Sequence, residues 1–171
     1  MYPSPEIKNW FAIRVKSRAE KKVSEQLKEK AIECYLPLQK QLRFWRDRKK
    51  LVDMPVIHGY AFVKIFPHER LSVLQTRHVV NLVRFEGKDV IIPNPQIEAM
   101  KCMLGQTDYP VEVSYEELSP GQWVKIRSGI MKGLRAELIS VHGKNRITLR
   151  INELNFNLMI DLPAYQLEAC S

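Results

Sequence analysis

The stretch "IHGYAFVKI" (residues 57–65) is the densest apolar run in this basic chain, and it alternates. Ala61, Val63 and Ile65 fall on one side of an extended strand; Tyr60, Phe62 and Lys64 fall on the other. A half-buried strand needs only one apolar side, and this one carries aromatics on both. Two readings are open. Either both faces are covered by helices of the domain itself, or the aromatic face receives a partner.

Working outward, "WFAIRV" (10–15) also alternates and reads as a strand, with Trp10 and Ala12 on the side of Tyr60 and Phe62. Ser17-Arg18-Ala19-Glu20 fits a capping box, and Val23, Leu27 and Ala31 then recur at helical spacing, predicting a helix over 18–31. "ECYLPLQKQLRFW" (33–45) reads as one extended strand whose Pro37 marks an edge or a bulge; "RDRKK" (46–50) is its turn. Pro67 begins a short helix, "VVNLVRF" (79–85) is a strand, and Asn94-Pro95 opens a helix with Ile97, Met100 and Leu104 inward. This order predicts an α+β sandwich with a mainly antiparallel sheet over residues 1–104.

After that the composition changes. Residues 105–117 carry four acids and no basic residue, and read as a linker. Residues 118–171 read as a small all-β barrel: "GQWVKIRSG", "RAELISV", "NRITLRI" and "FNLMIDL" are short strands, and "HGK" (142–144) is a tight turn. Phe156, Leu158, Ile160 and Leu162 alternate inward.

Charge is distributed unevenly. Residues 1–50 hold 14 Lys/Arg against 6 Asp/Glu, while the other 121 residues hold 13 of each. The whole excess of +8 lies in the first 50 residues, which favours a polyanion, nucleic acid before membrane. Cys34, Cys102 and Cys170 are far apart, with no CxxC pair and no Cys/His ligand spacing, so neither a metal site nor a disulfide framework is expected. A reducing cytoplasmic setting follows, with no signal-peptide pattern in "MYPSPEIKNW" and no run of membrane-spanning length. His58, His68, His78 and His142 are scattered, and no nucleophile–base pair or Gly-rich phosphate loop stands out; an enzyme and a bound cofactor are not expected.

The features "WFAIRVKSRAEKKV", "GYAFVKI" and "LSPGQWVKIRSGIMKGLRAELISV" coincide in this order. Together they resemble the NusG family of transcription elongation factors, an N-terminal NusG-type domain followed by a KOW barrel, across residues 9–168. The KOW signature falls on Gly121, Val124, Ile126, Gly129 and Gly133. "IECYLPLQKQLRFWRDRKK" further resembles the specialised RfaH and UpxY-type antiterminators.

The resemblance implies a non-catalytic elongation and antitermination factor that docks on the clamp helices of RNA polymerase and suppresses pausing, within a polysaccharide operon, as a monomer. Trp10, Ala12, Tyr60 and Phe62 match the polymerase-docking depression. Arg14, where an aromatic is common, and His58, where a proline is common, make its rim more polar. Lys16, Lys22 and Arg77 match positions that hold the single-stranded non-template DNA, and Arg18, Lys21 and His78 lie beside them. Lysine and arginine there hold backbone, and base choice needs stacking or edge contacts. The plain alternative is a solvated helix face. In "RFWRDRKK" (43–50), Arg46, Arg48 and Lys49 either grip DNA from a hairpin tip or form a solvated turn, with Phe44 and Trp45 packed on the sheet. A His-Thr-Thr type motif of RfaH is lacking in "HERLSVLQ", where His68, Glu69, Arg70 and Ser72 stand instead. The barrel is expected to recruit a small-subunit ribosomal protein or the termination factor Rho, through Ile130, Met131 and Lys132 of "SGIMKG" (128–133). Two competing functions remain at this stage: a ribosome- or RNA-associated KOW protein, disfavoured by a net charge of only +3 over 118–171, and a pure protein adaptor.

Overall fold

The computed structural model describes residues 7–106, 109–141 and 143–170, so the N-terminal leader reading and the expectations for His142 lie outside the described residues. Along the chain run β1 (Asn9–Val15), α1 (Glu20–Glu29), β2 (Glu33–Tyr35), β3 (Leu38–Phe44), β4 (Lys49–Pro55) and β5 (Tyr60–Ile65). Then come α2 (Arg70–Leu74), β6 (Val79–Leu82), β7 (Arg84–Phe85), β8 (Lys88–Asp89), β9 (Ile91–Ile92) and α3 (Asn94–Gly105). The remainder is strand: β10 (Val111–Ser114), β11 (Gln122–Ile126), β12 (Arg135–Val141), β13 (Lys144–Ile151), β14 (Phe156–Ile160) and β15 (Leu167–Ala169). The mixed class and the mainly antiparallel pairing are as expected.

Two compact units emerge. One comprises the chain through Leu38 together with Ile57–Asn94; the other comprises Gln39–Val56 together with Pro95 onward.

In the first unit the sheet order is β2-β5-β1-β6, with β9 also pairing β1. Phe11, Ile13 and Val15 of β1 join Ala61, Val63 and Ile65 of β5 in a core with Val23 and Leu27 of α1, Val73 of α2 and Leu82 of β6. The alternation of both strands thus does what it predicts: every second side chain enters this core. The capping box does not form. The N-cap of α1 is Ala19, without a side-chain cap, and Arg18 adopts φ 64°. The Glu20 carboxylate is diverted: it is 3% exposed and accepts from the Gly59 backbone N–H at 2.9 Å. Gly59 itself needs φ +77°, and its carbonyl accepts from Val15 N–H at 2.9 Å. A tertiary acceptor-donor pair has outcompeted a local one.

Pro37 splits the expected long strand into β2, which pairs with β5, and β3, which pairs with β4 in a two-stranded sheet. In α3 the buried side chains are Ile97, Ala99, Met100 and Met103, so Met103 takes the inward place expected of Leu104.

The second unit is organised by a six-stranded sheet in the order β10-β14-β13-β12-β11-β15. The acidic stretch is not a plain linker: β10 pairs with β14 from Val111↔Ile160 to Ser114↔Asn157. Because β14 is flanked by β10 and β13, all five of its residues are buried, not only alternate ones. Gly121 has no room for a side chain, since a Cβ there would lie 2.1 Å from the Leu138 carbonyl oxygen. Glu137, buried, accepts from Gly121 N–H at 2.5 Å. Arg150 meets Glu137 with two hydrogen bonds, 2.6 and 3.1 Å, and donates to the carbonyls of Leu118 and Ser119 at 2.9 and 2.8 Å. The Arg150 guanidinium holds the Glu137 carboxyl below its usual range, with burial acting against it and the Gly121 N–H acting with it.

Candidate nucleic-acid interface

The sheet of the first unit brings three separate basic stretches to one place. Lys16 follows the last residue of β1, and its N–H donates to the His78 carbonyl at 2.9 Å just before β6 begins. The register of β1 and β6 shifts by a bulge between Arg14 and Val15, and His78 takes φ 73° to enter the strand. Lys21 and Lys22 occupy the first turn of α1. The His78 imidazole has its pKa lowered, first by desolvation and then by the charges of Arg77, Lys16 and Lys22. The charges of three cations thus add to desolvation in disfavouring protonation of this histidine. Lys16, Arg18, Lys21, Lys22 and Arg77 are exposed, and His78 is half-exposed. Such a cluster of exposed cations is chemically suited to phosphate.

The aromatic face is placed differently from expectation. Trp10, Ala12 and Phe62 are 3%, 0% and 0% exposed, so an open depression formed by all four residues is not what the chain presents. Tyr60 is half-buried, and its register partner Arg14 is exposed, as is His58. Trp10 donates through Nε1 to Asn94 Oδ1 at 3.1 Å, and Lys64 Nζ lies 5.9 Å from the Trp10 ring centre. Phe62 stacks on Tyr35 with ring centres 6.2 Å apart. Asn94 spends its side chain on Trp10, a contact that no local spacing in the sequence indicates.

Of the four residues in place of the missing polar motif, Glu69, Arg70 and His68 have engaged side chains, and Ser72 an engaged backbone carbonyl. Glu69 accepts from Phe66 N–H at 2.8 Å, Arg70 bonds Asp89 at 2.6 Å, and the Ser72 carbonyl accepts from Lys30 and Thr76. His68 stacks on Phe66 at 5.3 Å. Burial pushes the Cys34 thiol up, so it is no ready nucleophile.

In the second unit, Arg46, Arg48 and Lys49 are exposed around the turn between β3 and β4. Phe44 and Trp45, which could have packed on a sheet, are instead 67% and 51% exposed. In the loop after β11, Ile130 and Lys132 are exposed but Met131 is 4% exposed, which corrects its assignment to a partner surface. Its backbone explains this: Leu134 N–H donates to the Met131 carbonyl, and Gly133 N–H to that of Ile126, folding the loop inward. Exposed Trp123 and Tyr165 were missed by the sequence reading, because period-2 alternation alone does not separate a bare face from a covered one. Among the described residues no His/Cys/Asp/Glu group could hold a metal ion, and no helix is long and apolar enough to cross a membrane.

The family model described as "Transcription termination factor nusG" matches residues 8–101, more than half of the chain. The chain belongs to the NusG family, whose members are transcription factors rather than enzymes. Among solved structures it is similar to NusG of Thermotoga maritima, in a structure entitled "Domain interaction in Thermotoga maritima NusG", at 18% identity and a TM-score of 0.58, over 98% of this chain and 100% of that one. The MjSpt4:Spt5 complex in conformations A and B aligns at 19% identity and TM-scores of 0.32 and 0.33, over 95% of this chain and 98% and 97% of those chains. No curated protein matches the chain.

Proposed function

We propose that this NusG-family chain is an operon-specific elongation and antitermination factor that binds RNA polymerase and the single-stranded non-template DNA. The observation that carries the DNA part is the convergence of Lys16, Lys22 and Arg77 around His78. In this reading the cations neutralise phosphates, and base choice falls to stacking or edge contacts from Arg77 or His78. Arg18 and Lys21 extend the same patch, and Arg46, Arg48 and Lys49 form a second one.

Polymerase docking is assigned to the sheet side that carries Tyr60. Its accessible members are Tyr60, Arg14 and His58, while Trp10, Ala12 and Phe62 shape the site from within. Ile130 and Lys132 are the proposed contacts for a ribosomal protein or Rho.

The test is transcription in vitro past a pause or terminator, with core polymerase pull-down alongside. Wild type is expected to shorten the pause, Lys16→Gln plus Lys22→Gln to lose that effect while still binding polymerase, and Tyr60→Ala to lose polymerase. Phe62→Ala is not a clean probe, since emptying a fully buried aromatic site costs about 3–5 kcal/mol of stability. A wild-type chain that binds neither polymerase nor DNA would sink the reading.

A further inference from the structure

The hairpin of β3 and β4 is a two-stranded sheet closed by a hydrogen bond from Trp45 N–H to the Arg48 carbonyl at 2.8 Å. Two cross-strand contacts define its faces. Lys40 pairs with Asp53 at 3.4 Å, and Lys49 Nζ lies 5.2 Å from the Phe44 ring centre. Since alternate residues share a side, Lys40, Leu42 and Phe44 face the same way as Lys49, Leu51 and Asp53. On that face Leu42, Phe44 and Leu51 are 50%, 67% and 61% exposed. At the turn stands Trp45, 51% exposed. Over residues 39–56 the chain carries six Lys/Arg and two Asp/Glu.

A water-exposed aromatic pair is unfavourable unless something covers it. The strong positive charge selects what does. A protein surface built to match Phe44, Leu42 and Leu51 alone would not call for Lys49 on the same face or for Arg46 and Arg48 at the turn beside it. Duplex DNA would use those cations but not the rings, because its base faces are stacked away. An unpaired strand uses both: each base offers a π-face to a ring, and each phosphate offers an anion to a neighbouring cation. The ammonium of Lys49 over Phe44 prearranges this pairing by holding one positive charge beside the ring.

We propose that the β3–β4 hairpin is a single-stranded nucleic-acid site in which Phe44 and Trp45 stack on unpaired bases while Lys49 beside Phe44 and Arg46 and Arg48 at the turn hold the phosphates. It rests on the reading of the chain as a DNA-binding factor and assigns that role a second contact, distinct from the cluster around His78.

The experiment is titration of the full chain with three probes: a single-stranded oligonucleotide, an abasic strand of equal length, and a duplex. Wild type and Phe44→Leu plus Trp45→Leu are compared, with a thermal melt to show that the exposed substitutions leave the fold intact. Wild type is expected to prefer the base-bearing strand over both others. The double variant is expected to lose roughly tenfold per stacked base on that strand, and to bind the abasic strand as wild type does. Equal binding of the base-bearing strand by both proteins overturns the proposal, as does an equal loss on all three probes. A change in sedimentation of the variant with unchanged DNA affinity also overturns it, in favour of self-association. Lys16→Gln plus Lys22→Gln separates the two readings: if that variant alone loses DNA, the hairpin proposal fails and the cluster stands; if the hairpin variant alone does, the cluster fails and the hairpin stands.

Discussion

Each unit holds a glycine N–H with a buried glutamate, and the two locks are built differently. In the first, Glu20 reaches from α1 to the Gly59 N–H. In the second, Glu137 reaches from β12 to the Gly121 N–H and is held by Arg150, which also takes the Leu118 and Ser119 carbonyls. One is a single charge-assisted bond; the other is a network joining two strands and the segment before β11. A network fails as a whole when one member goes, because the charge left behind stays desolvated. Removal of a single bond costs only that bond and the orphaned donor.

The comparison can be broken most directly at Arg150. Arg150→Met strands the Glu137 carboxylate and should cost about 3–5 kcal/mol, read as a lower thermal midpoint and lost amide protection in β12 and β13. Gly121→Ala comes next: its Cβ must displace the Leu138 backbone, and a penalty of about 1–3 kcal/mol is expected by the same measurements. Glu20→Gln keeps an acceptor for Gly59 and should cost only about 1 kcal/mol; a cost equal to that of Arg150→Met would erase the distinction between the two locks.

Acid sharpens the contrast. The Glu137 pKa is lowered in the folded chain, chiefly by Arg150, so its stabilisation is present above the unfolded carboxyl pKa and is lost as pH falls through the folded one. Acid unfolding of wild type should therefore be steeper than that of Arg150→Met, in which the carboxyl loses its reason to stay charged. The smallest effect concerns His78. Its pKa is lowered in the free chain, and a bound phosphate would raise it, so DNA binding should take up a proton. Affinity is expected to rise a few-fold as pH falls below neutrality, and His78→Gln should flatten that profile in a binding titration.

Much of this was legible beforehand. Alternation in residues 10–15 and 60–65 placed both central strands and the whole of one core face, and the order of motifs carried the family. Lys16, Lys22 and Arg77 were singled out by the resemblance alone; that their charges reach His78 is a feature of the fold. Arg150 was not legible: an arginine in a strand looks like any solvated residue until its partner, 13 positions away, is known. Met131 was misread for a similar reason, since an apolar residue between glycines gives no sign of which way its loop folds.

By itself the sequence determined what repeats locally: strand periodicity, the inward side of β1 and β5, the localised charge and the irregularity at Pro37. Tertiary structure alone decided what those elements meet. It buried the second face at Trp10, Ala12 and Phe62, drew Glu20 from its cap to Gly59, turned part of the acidic stretch into β10, and left Phe44 and Trp45 bare. Periodicity is a property of one segment, whereas cover is a property of two, and the energy of a long-range pair appears nowhere in the spacing of either partner.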